Sequence, residues 1–442
     1  TFWRLCVPSV LGLGLLGINS FVDALAVGCV LGEEALAGAG VGFALSNIPF
    51  AVGNLVGGGA AAVLSNAIGA RDVRVFKVLF GSVVAMSLVL GGVVAVAGTV
   101  LAPQLAAALG ASGVAHAAAV DFFRVQSLGT PLISFGLAMN MMTRGEGKVR
   151  AAMIKAAIGA SLNMLLAFPM CRAFGTSGAA AAGLAASCVY AALGLVWYGA
   201  LNGRGFATVA LQLRGSRVDV DVVRGIFKAG LPQFVMGAMQ LVQMVLVYRA
   251  LASFGSAHDA AVYGALARIS MLASFPIFGF MRAFQPVVGI AWGARRADLI
   301  AESLRVFVVG GLILVTALLL PMITVTTSFF ALVLPGTAID DADLLHARVY
   351  LLPFFGYPIA FMGMTLMQNT DAGGLASALS LGRQLVLFVP AVLLLPPLLG
   401  VFGIYVAFAS VDVVIVAVVV VFLLRDRARW QARAASADAG AT

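Results

Sequence analysis

Composition and charge exclude an ordinary water-soluble protein. Of the 442 residues, 62% are hydrophobic and 10% are charged, whereas a typical soluble domain has roughly 45–50% and about 25%. The net charge of +9 would suit a nucleic-acid binder, but the apolar residues form uncharged stretches such as 78–104, 306–327 and 384–411, and each is longer than the roughly 18 residues that indicate a membrane span. We therefore predict an all-α polytopic membrane protein that binds no nucleic acid.

Twelve spans follow from the apolar runs, taken in chain order. They lie near 5–28, 36–67, 78–102, 118–142, 152–172, 178–200, 229–253, 260–292, 303–327, 344–368, 378–399 and 402–424. Residues 201–228 form the longest polar stretch and are predicted to be a cytoplasmic linker. The predicted domains are a six-helix N-terminal lobe (1–200), this linker, a six-helix C-terminal lobe (229–424) and a basic cytoplasmic tail (425–442).

The two halves repeat three landmarks at nearly the same spacing. The motif Gly69-Ala70-Arg71 recurs as Gly293-Ala294-Arg295, Pro131 recurs as Pro358, and Phe174-Gly175 recurs as Phe402-Gly403. Both halves contain six spans and start on the same side, so we expect two lobes related by an internal repeat whose axis runs along the membrane normal.

Lys and Arg collect in alternate loops. The basic groups are Arg71–Lys77, Arg144–Arg150, Arg204–Lys228, Arg295–Arg296 and Arg425–Arg433, and the intervening loops carry Glu33, Glu34, Asp259 and Asp340–Asp343. The positive-inside rule places the basic loops and both termini in the cytoplasm. The loop 368–377 departs from the pattern because it contains no base.

Asp23 is a charged residue deep in the first span, beside Asn19 and Ser20. A charge at the bilayer centre costs about 2.5–3.5 kcal/mol on insertion scales, and burial favours the neutral form of a carboxyl group. Asp23 is therefore predicted to take up and release a proton or to hold a cation. The alternative is a structural role in tying helices together.

Other polar residues inside spans are candidates for a polar cavity. Asp412 lies within the last span, and Gln240 and Gln243 share one helical face of the seventh span, where they could bind substrate or another helix. A further set lies within about two turns of predicted span ends, so that the side chains are expected to reach the interface. These are Arg124, Arg268, Arg282, Arg305 and Arg383.

Neither an enzyme nor a metal protein is indicated. The sequence contains no Gly-x-Ser-x-Gly, His-Glu-x-x-His or Walker A motif, so the chain is not expected to hydrolyse nucleotide and any pumping must draw on an ion gradient. The four cysteines, Cys6, Cys29, Cys171 and Cys188, lie in or beside spans without metal-ligand spacing. We expect no disulfide, no metal site and no cofactor other than a coupling ion.

Several short segments together resemble a known family. They are Phe21–Asp23, Gly57–Gly59, Ile68–Asp72, Arg144–Lys148 and Leu162–Asn163 in the first half, and Gly230–Pro232, Gly293–Arg295, Arg383–Gln384 and Phe402–Gly403 in the second. Their order and spacing are similar to those of multidrug and toxic compound extrusion (MATE) transporters over nearly the whole chain. This resemblance implies twelve helices in two six-helix lobes around a central cavity.

The resemblance also implies an ion-coupling site in the first lobe. Its acidic residue falls at Asp23 and its fifth-helix Asn at Asn163. Two further positions have lost their oxygen ligands, because the fifth-helix Asp is Ala167 and the sixth-helix hydroxyl position is Gly183. A seventh-helix Glu of some members falls at Gln240. Since Na⁺ needs several oxygen ligands and a proton needs one carboxyl group, the pattern favours H⁺ over Na⁺.

The function implied by the resemblance is export of cationic or amphipathic organic compounds, such as drugs, in exchange for inward H⁺. The expected setting is a monomer in the lipid bilayer of a prokaryotic inner membrane. The alternative is a flippase for a lipid or a lipid-linked oligosaccharide from the same superfamily. That alternative is disfavoured because it needs cationic side chains in the cavity, and the arginines are expected at span ends.

Overall fold

The computed structural model describes residues 19, 22–23, 26–109, 111–199, 217–333, 339–370 and 372–439. The described residues of the first half form six helices. The first, α1, is described at residues 19, 22–23 and 26–31. The others are α2 (Glu33–Leu45 and Asn47–Ala70), α3 (Val73–Ala108), α4 (Gly113–Leu128 and Thr130–Gly145), α5 (Val149–Phe174) and α6 (Thr176–Tyr198).

The second half has the same order of helices. They are α7 (Val220–Phe254), α8 (Ala257–Gly293), α9 (Ala297–Thr324), α10 (Asp341–Leu351, a 3₁₀ turn Leu352–Gly356, and Tyr357–Asn369), α11 (Gly373–Leu381, a π-helical segment Gly382–Phe388, and Val389–Leu399) and α12 (Phe402–Ala439). A short helix, Thr326–Val333, follows α9.

The prediction of an all-α membrane protein with twelve helices is confirmed. Nine helices of the described part are long and apolar enough to cross a membrane by length and composition. The boundaries differ at two places. Residues 220–228, expected in the linker, are the first turns of α7, and α12 continues through the predicted tail to Ala439. The prediction was based on uncharged runs, so it ended each helix at its charged residues. The α-helices themselves extend beyond the hydrocarbon region.

Matching backbone geometry in the two halves shows the internal repeat. Arg71 and Arg295, each after a Gly-Ala pair, have φ of 55° and 57° and are the non-glycine residues of the described chain with positive φ. Gly175 between α5 and α6 and Gly400 between α11 and α12 have φ of 63° and 62°. The counterpart of Gly175 is therefore Gly400, and the predicted match to Gly403 is wrong by three residues.

The two lobes touch where α2 packs against α7 and α8. A β-carbon added to Gly69 would lie 2.1 Å from the carbonyl oxygen of Ile290, and one added to Gly293 would lie 2.0 Å from that of Asn66. Glycine is required at both positions because the backbones approach so closely. These reciprocal contacts lie at the end of the bundle that carries the loops after α2 and α8, which we term the basic end.

Each lobe has its own apolar core. One cluster in the N lobe contains Ala26, Phe122 and Ala167, and the largest C-lobe cluster contains Tyr263, Tyr405 and Phe408. A third cluster joins Leu55, Val56 and Leu64 of α2 to Val222 and Ile226 of α7. The contact between the lobes is thus packed with apolar side chains at the basic end, where the molecule is closed.

Candidate functional site

Asp23, Asn19 and Asn163 form a polar triad between α1 and α5. Nδ2 of Asn163 donates to Oδ1 of Asp23 at 2.7 Å and to Oδ1 of Asn19 at 3.0 Å, and Nδ2 of Asn19 donates to Oδ2 of Asp23 at 3.3 Å. Asn19 and Asp23 are four residues apart, so one helical turn brings them to the same face. Only 8% of Asp23 and 1% of Asn163 is exposed, so a single carboxyl group is held by two amides inside the lobe.

The walls of this triad supply few oxygen atoms. Ala167, at the position of the family's Asp, is fully buried and packs with Ala26 and Cys171. A β-carbon added to Gly183 would lie 3.9 Å from Oδ1 of Asn163. That oxygen is buried and has no hydrogen-bond partner among the described residues. The two replacements therefore leave an apolar wall and an unpartnered amide oxygen where the family pattern has ligands.

The structure does not bring the other predicted polar residues to the triad. Ser20 lies outside the described residues. On α7, Gln240 is exposed and Gln243 is partly buried, and neither has a hydrogen bond within the described part of the chain. The polar contact of α7 is made instead by Gln233, whose Nε2 donates to Oε1 of Gln368 on α10 at 3.2 Å.

Two further hydrogen bonds cross between the lobes and were not predicted. Nε2 of Gln285 on α8 donates to the carbonyl oxygen of Gly58 on α2 at 3.1 Å, and Nδ2 of Asn66 donates to that of Asn369 at 3.1 Å. The sequence signal that could have indicated these bonds is the presence of polar residues near the glycines of the repeated motif. Together with the glycine contacts, these bonds hold the two lobes together at the basic end.

Asp412 lies in the C lobe, in an ion pair with Arg383. Nε and Nη2 of Arg383 donate to Oδ1 of Asp412 at 2.9 and 2.7 Å, and the hydroxyl of Tyr357 donates to Oδ2 at 3.0 Å. The exposed fractions of the Arg383 and Asp412 side chains are 20% and 6%. The adjoining cavity, lined also by Met236 and Phe361, measures about 20 Å³. It has room for about one water molecule, so in this conformation it cannot hold an organic compound.

The expectation that the arginines reach the interface is wrong for Arg383. Its side chain turns into the C lobe toward Asp412, because a facing helix supplies a carboxyl partner nearer than the interface. Arg282 is partly buried. Arg124 and Arg305 are exposed, as expected, and the side chain of Arg268 lies outside the described residues.

Comparison with known proteins finds similarity to one family. A family model, MatE, matches residues 8–168. The multidrug export protein MepA of Staphylococcus aureus (strain MRSA252) is 23% identical over 424 residues, which cover 95% of this chain and 93% of MepA. A MATE structure in the bent conformation has a TM-score of 0.88 at 23% identity. The match covers 98% of this chain and 96% of the chain in that structure.

The chain is similar to multidrug and toxic compound extrusion (MATE) proteins over nearly its whole length. An outward-facing multidrug resistance MATE transporter of the MOP superfamily also shares the fold, with a TM-score of 0.87, 24% identity and coverage of 98% and 96%. The MATE fold accounts for the two six-helix lobes. The chain has Asp23 and Asn163 in hydrogen-bond contact, at the positions where the family resemblance placed coupling residues.

Proposed function

We propose that this protein is a secondary antiporter of the MATE type that exports cationic or amphipathic organic compounds in exchange for inward H⁺. The observation that carries the proposal is the buried Asp23 carboxyl group, held by the amides of Asn19 and Asn163. A carboxyl group in such a site can bind one proton without further ligands. The name of MepA, a multidrug export protein, supports export of organic compounds.

The donors around Asp23 favour H⁺ over Na⁺. Both oxygens of Asp23 accept an amide N–H, and an N–H group pointing at the site opposes a cation there. Ala167 and Gly183 offer no side-chain oxygen. A hard cation needs several oxygen ligands, and the described side chains of the triad supply the carboxyl group, Oδ1 of Asn19, which already accepts an N–H group from Asn163, and the unpartnered Oδ1 of Asn163.

Transport follows from alternating closure of the two ends of the lobes. With the basic end in the cytoplasm by the positive-inside rule, the close contact between Gly69 and Ile290 closes the cytoplasmic side in this conformation, and release takes place on the opposite side. Protonation of Asp23 from outside lowers the affinity for substrate, and its deprotonation toward the cytoplasm restores it. By linkage, substrate binding must lower the proton affinity of Asp23 by the same factor.

The test uses purified protein in liposomes with an imposed pH gradient or, at constant pH, an imposed Na⁺ gradient. Two amphipathic xanthene dyes serve as probes, a cationic rhodamine ester and an anionic sulforhodamine. We expect the pH gradient to drive movement of at least one dye, and Asp23→Asn to abolish it. The matched control Asp121→Asn removes an exposed carboxyl group of α4 and should leave transport intact. Undiminished movement in Asp23→Asn, or movement driven by Na⁺ alone, contradicts the proposal.

A further inference from the structure

Two asparagines, one from each lobe, meet in the closed contact at the basic end. Asn66 is on α2, and Asn369 is the last residue of α10. Nδ2 of Asn66 donates to the carbonyl oxygen of Asn369 at 3.1 Å, so this bond joins the N lobe to the C lobe. Nδ2 of Asn369 donates to the carbonyl oxygen of Thr365, in its own helix, at 2.8 Å. Both side chains therefore use their amide nitrogens as donors.

The amide oxygens of the same two asparagines are buried without a donor. Oδ1 of Asn66 and Oδ1 of Asn369 accept no hydrogen bond from the described residues, and Asn369 as a whole is 0% exposed. A β-carbon added to Gly289 of α8 would lie 3.3 Å from Oδ1 of Asn369 and 2.9 Å from Oγ of Ser65 on α2. The oxygen of Asn369 thus lies where α2, α8 and α10 meet. The hydroxyl group of Ser65 donates to the carbonyl oxygen of Ala61 in its own helix, so it leaves this oxygen unpaired.

An unpaired buried oxygen opposes closure of the lobes. Buried polar groups in proteins are nearly always hydrogen-bonded, and burying an acceptor without a donor costs its full desolvation energy. Separation of α2 from α8 and α10 lets water reach both oxygens, so this cost is present only while the contact is closed. Apolar packing and the hydrogen bond from Gln285 to the carbonyl oxygen of Gly58 act in the opposite direction. The closed contact therefore contains groups that favour closure and groups that oppose it.

We propose that Oδ1 of Asn66 and Oδ1 of Asn369 destabilise the closed contact and thereby allow the basic end to reopen in each transport cycle. The inference rests on the alternating closure of the proposed function and names residues that set its equilibrium. A transporter of this kind needs both conformations to be populated, and a small free-energy change at the contact shifts their ratio. The asparagines act as positioning residues, because they change how often the lobes separate without binding the proton at Asp23.

Asn369→Leu tests the role of one oxygen, because leucine has nearly the shape of asparagine without its polar atoms. The variant keeps the backbone carbonyl that accepts from Asn66. The bond lost to Thr365 lies within α10 and is the same whether the lobes are together or apart. We expect the ratio of closed to open molecules to rise about tenfold or more, the effect of removing one unsatisfied buried acceptor. Gln285→Met removes a bond that crosses the contact and should lower the ratio.

The experiment measures the distance between two spin labels by pulsed electron paramagnetic resonance in phospholipid nanodiscs. The labels are attached at Val73→Cys on α3 and Leu299→Cys on α9, both exposed and near the basic end, in a chain whose native cysteines are replaced by alanine. We expect Asn369→Leu to increase the population with the short distance and Gln285→Met to decrease it. Adding Asn369→Leu to Gln285→Met should restore the short distance. The matched control Gln104→Leu removes an exposed amide near the opposite end of α3 and should leave the distances unchanged.

The outcomes separate this inference from the proposed antiport. The distances are measured without substrate or gradient, so they do not depend on which ion drives export. If Asn369→Leu fails to raise the closed population in the Gln285→Met background, the inference is wrong, because the oxygen of Asn369 then finds a donor in the closed state. A shift toward the open form in Asn369→Leu overturns it equally. Absence of dye movement under every gradient overturns the antiport and leaves the result on the closed contact standing.

Discussion

Removing one partner of the buried Arg383–Asp412 pair should destabilise the C lobe strongly. Asp412→Leu leaves the Arg383 guanidinium, which donates twice to Asp412, buried without its counter-charge. Breaking a buried ion pair in this way costs about 3–5 kcal/mol, which changes the folding equilibrium roughly 150- to 5,000-fold. Arg383→Met should cost less, because Asp412 can become neutral by binding a proton whereas a guanidinium group cannot lose one.

The assay is reversible unfolding by dodecyl sulfate in mixed micelles, followed by tryptophan fluorescence. The double variant Arg383→Met/Asp412→Leu should recover most of the loss, since replacing both charges by apolar groups of similar volume is often neutral. A loss in Asp412→Leu below about 1 kcal/mol, the range of a solvent-exposed pair, would show that water screens these charges. A double variant as unstable as Asp412→Leu would equally refute the reasoning.

Three further perturbations test other parts of the structure. The hydrogen bond from His258 to Asp343 raises the pKa of His258 above 6.5. The stabilisation from this bond is therefore complete below pH 6.5 and is lost as the pH rises through the folded-state pKa. The difference in Tm between wild type and His258→Gln should shrink from pH 6 to pH 8.5. Gly69→Ala should separate the lobes at the basic end, because its β-carbon would collide with α8, as measured by the distance between spin labels on α3 and α9. Gly183→Ser should raise Tm, since its hydroxyl can donate to Oδ1 of Asn163.

Matched variants control for each of these changes. His116→Gln removes another histidine outside the His258 ion pair and should not reproduce the pH effect. Gly92→Ala adds a β-carbon that meets nothing within 4 Å and should leave the label distance unchanged. Gly183→Ala separates helix propensity from the hydroxyl group. A Tm for Gly183→Ser no higher than for Gly183→Ala would contradict the role given to the unpartnered oxygen.

The helices and their repeat were predictable because their signals are local. Uncharged runs fix the number of spans, and the Gly-Ala-Arg motif gives both Arg71 and Arg295 the same left-handed backbone. The contact between Asp23 and Asn163 was also anticipated, through the family resemblance. Sequence spacing does not predict which residues of α1 and α5 are in contact. The residues alone therefore indicated that Asp23 needs a partner but not which residue it is.

Arg383 could not be placed from the sequence because its partner, Asp412, lies on another helix. The π-helical segment Gly382–Phe388 changes the direction of Arg383, and nothing in its sequence indicates a π-helix over an α-helix.

The most direct test of the central claim is whether substrate binding displaces a proton from Asp23. Purified protein in weakly buffered detergent solution is mixed with the dye that liposomes show to be transported, and a pH indicator follows proton release. The account predicts release in wild type and none in Asp23→Asn, at equal dye binding. Equal release in both proteins would contradict it, because the exchanged proton would then come from a different group.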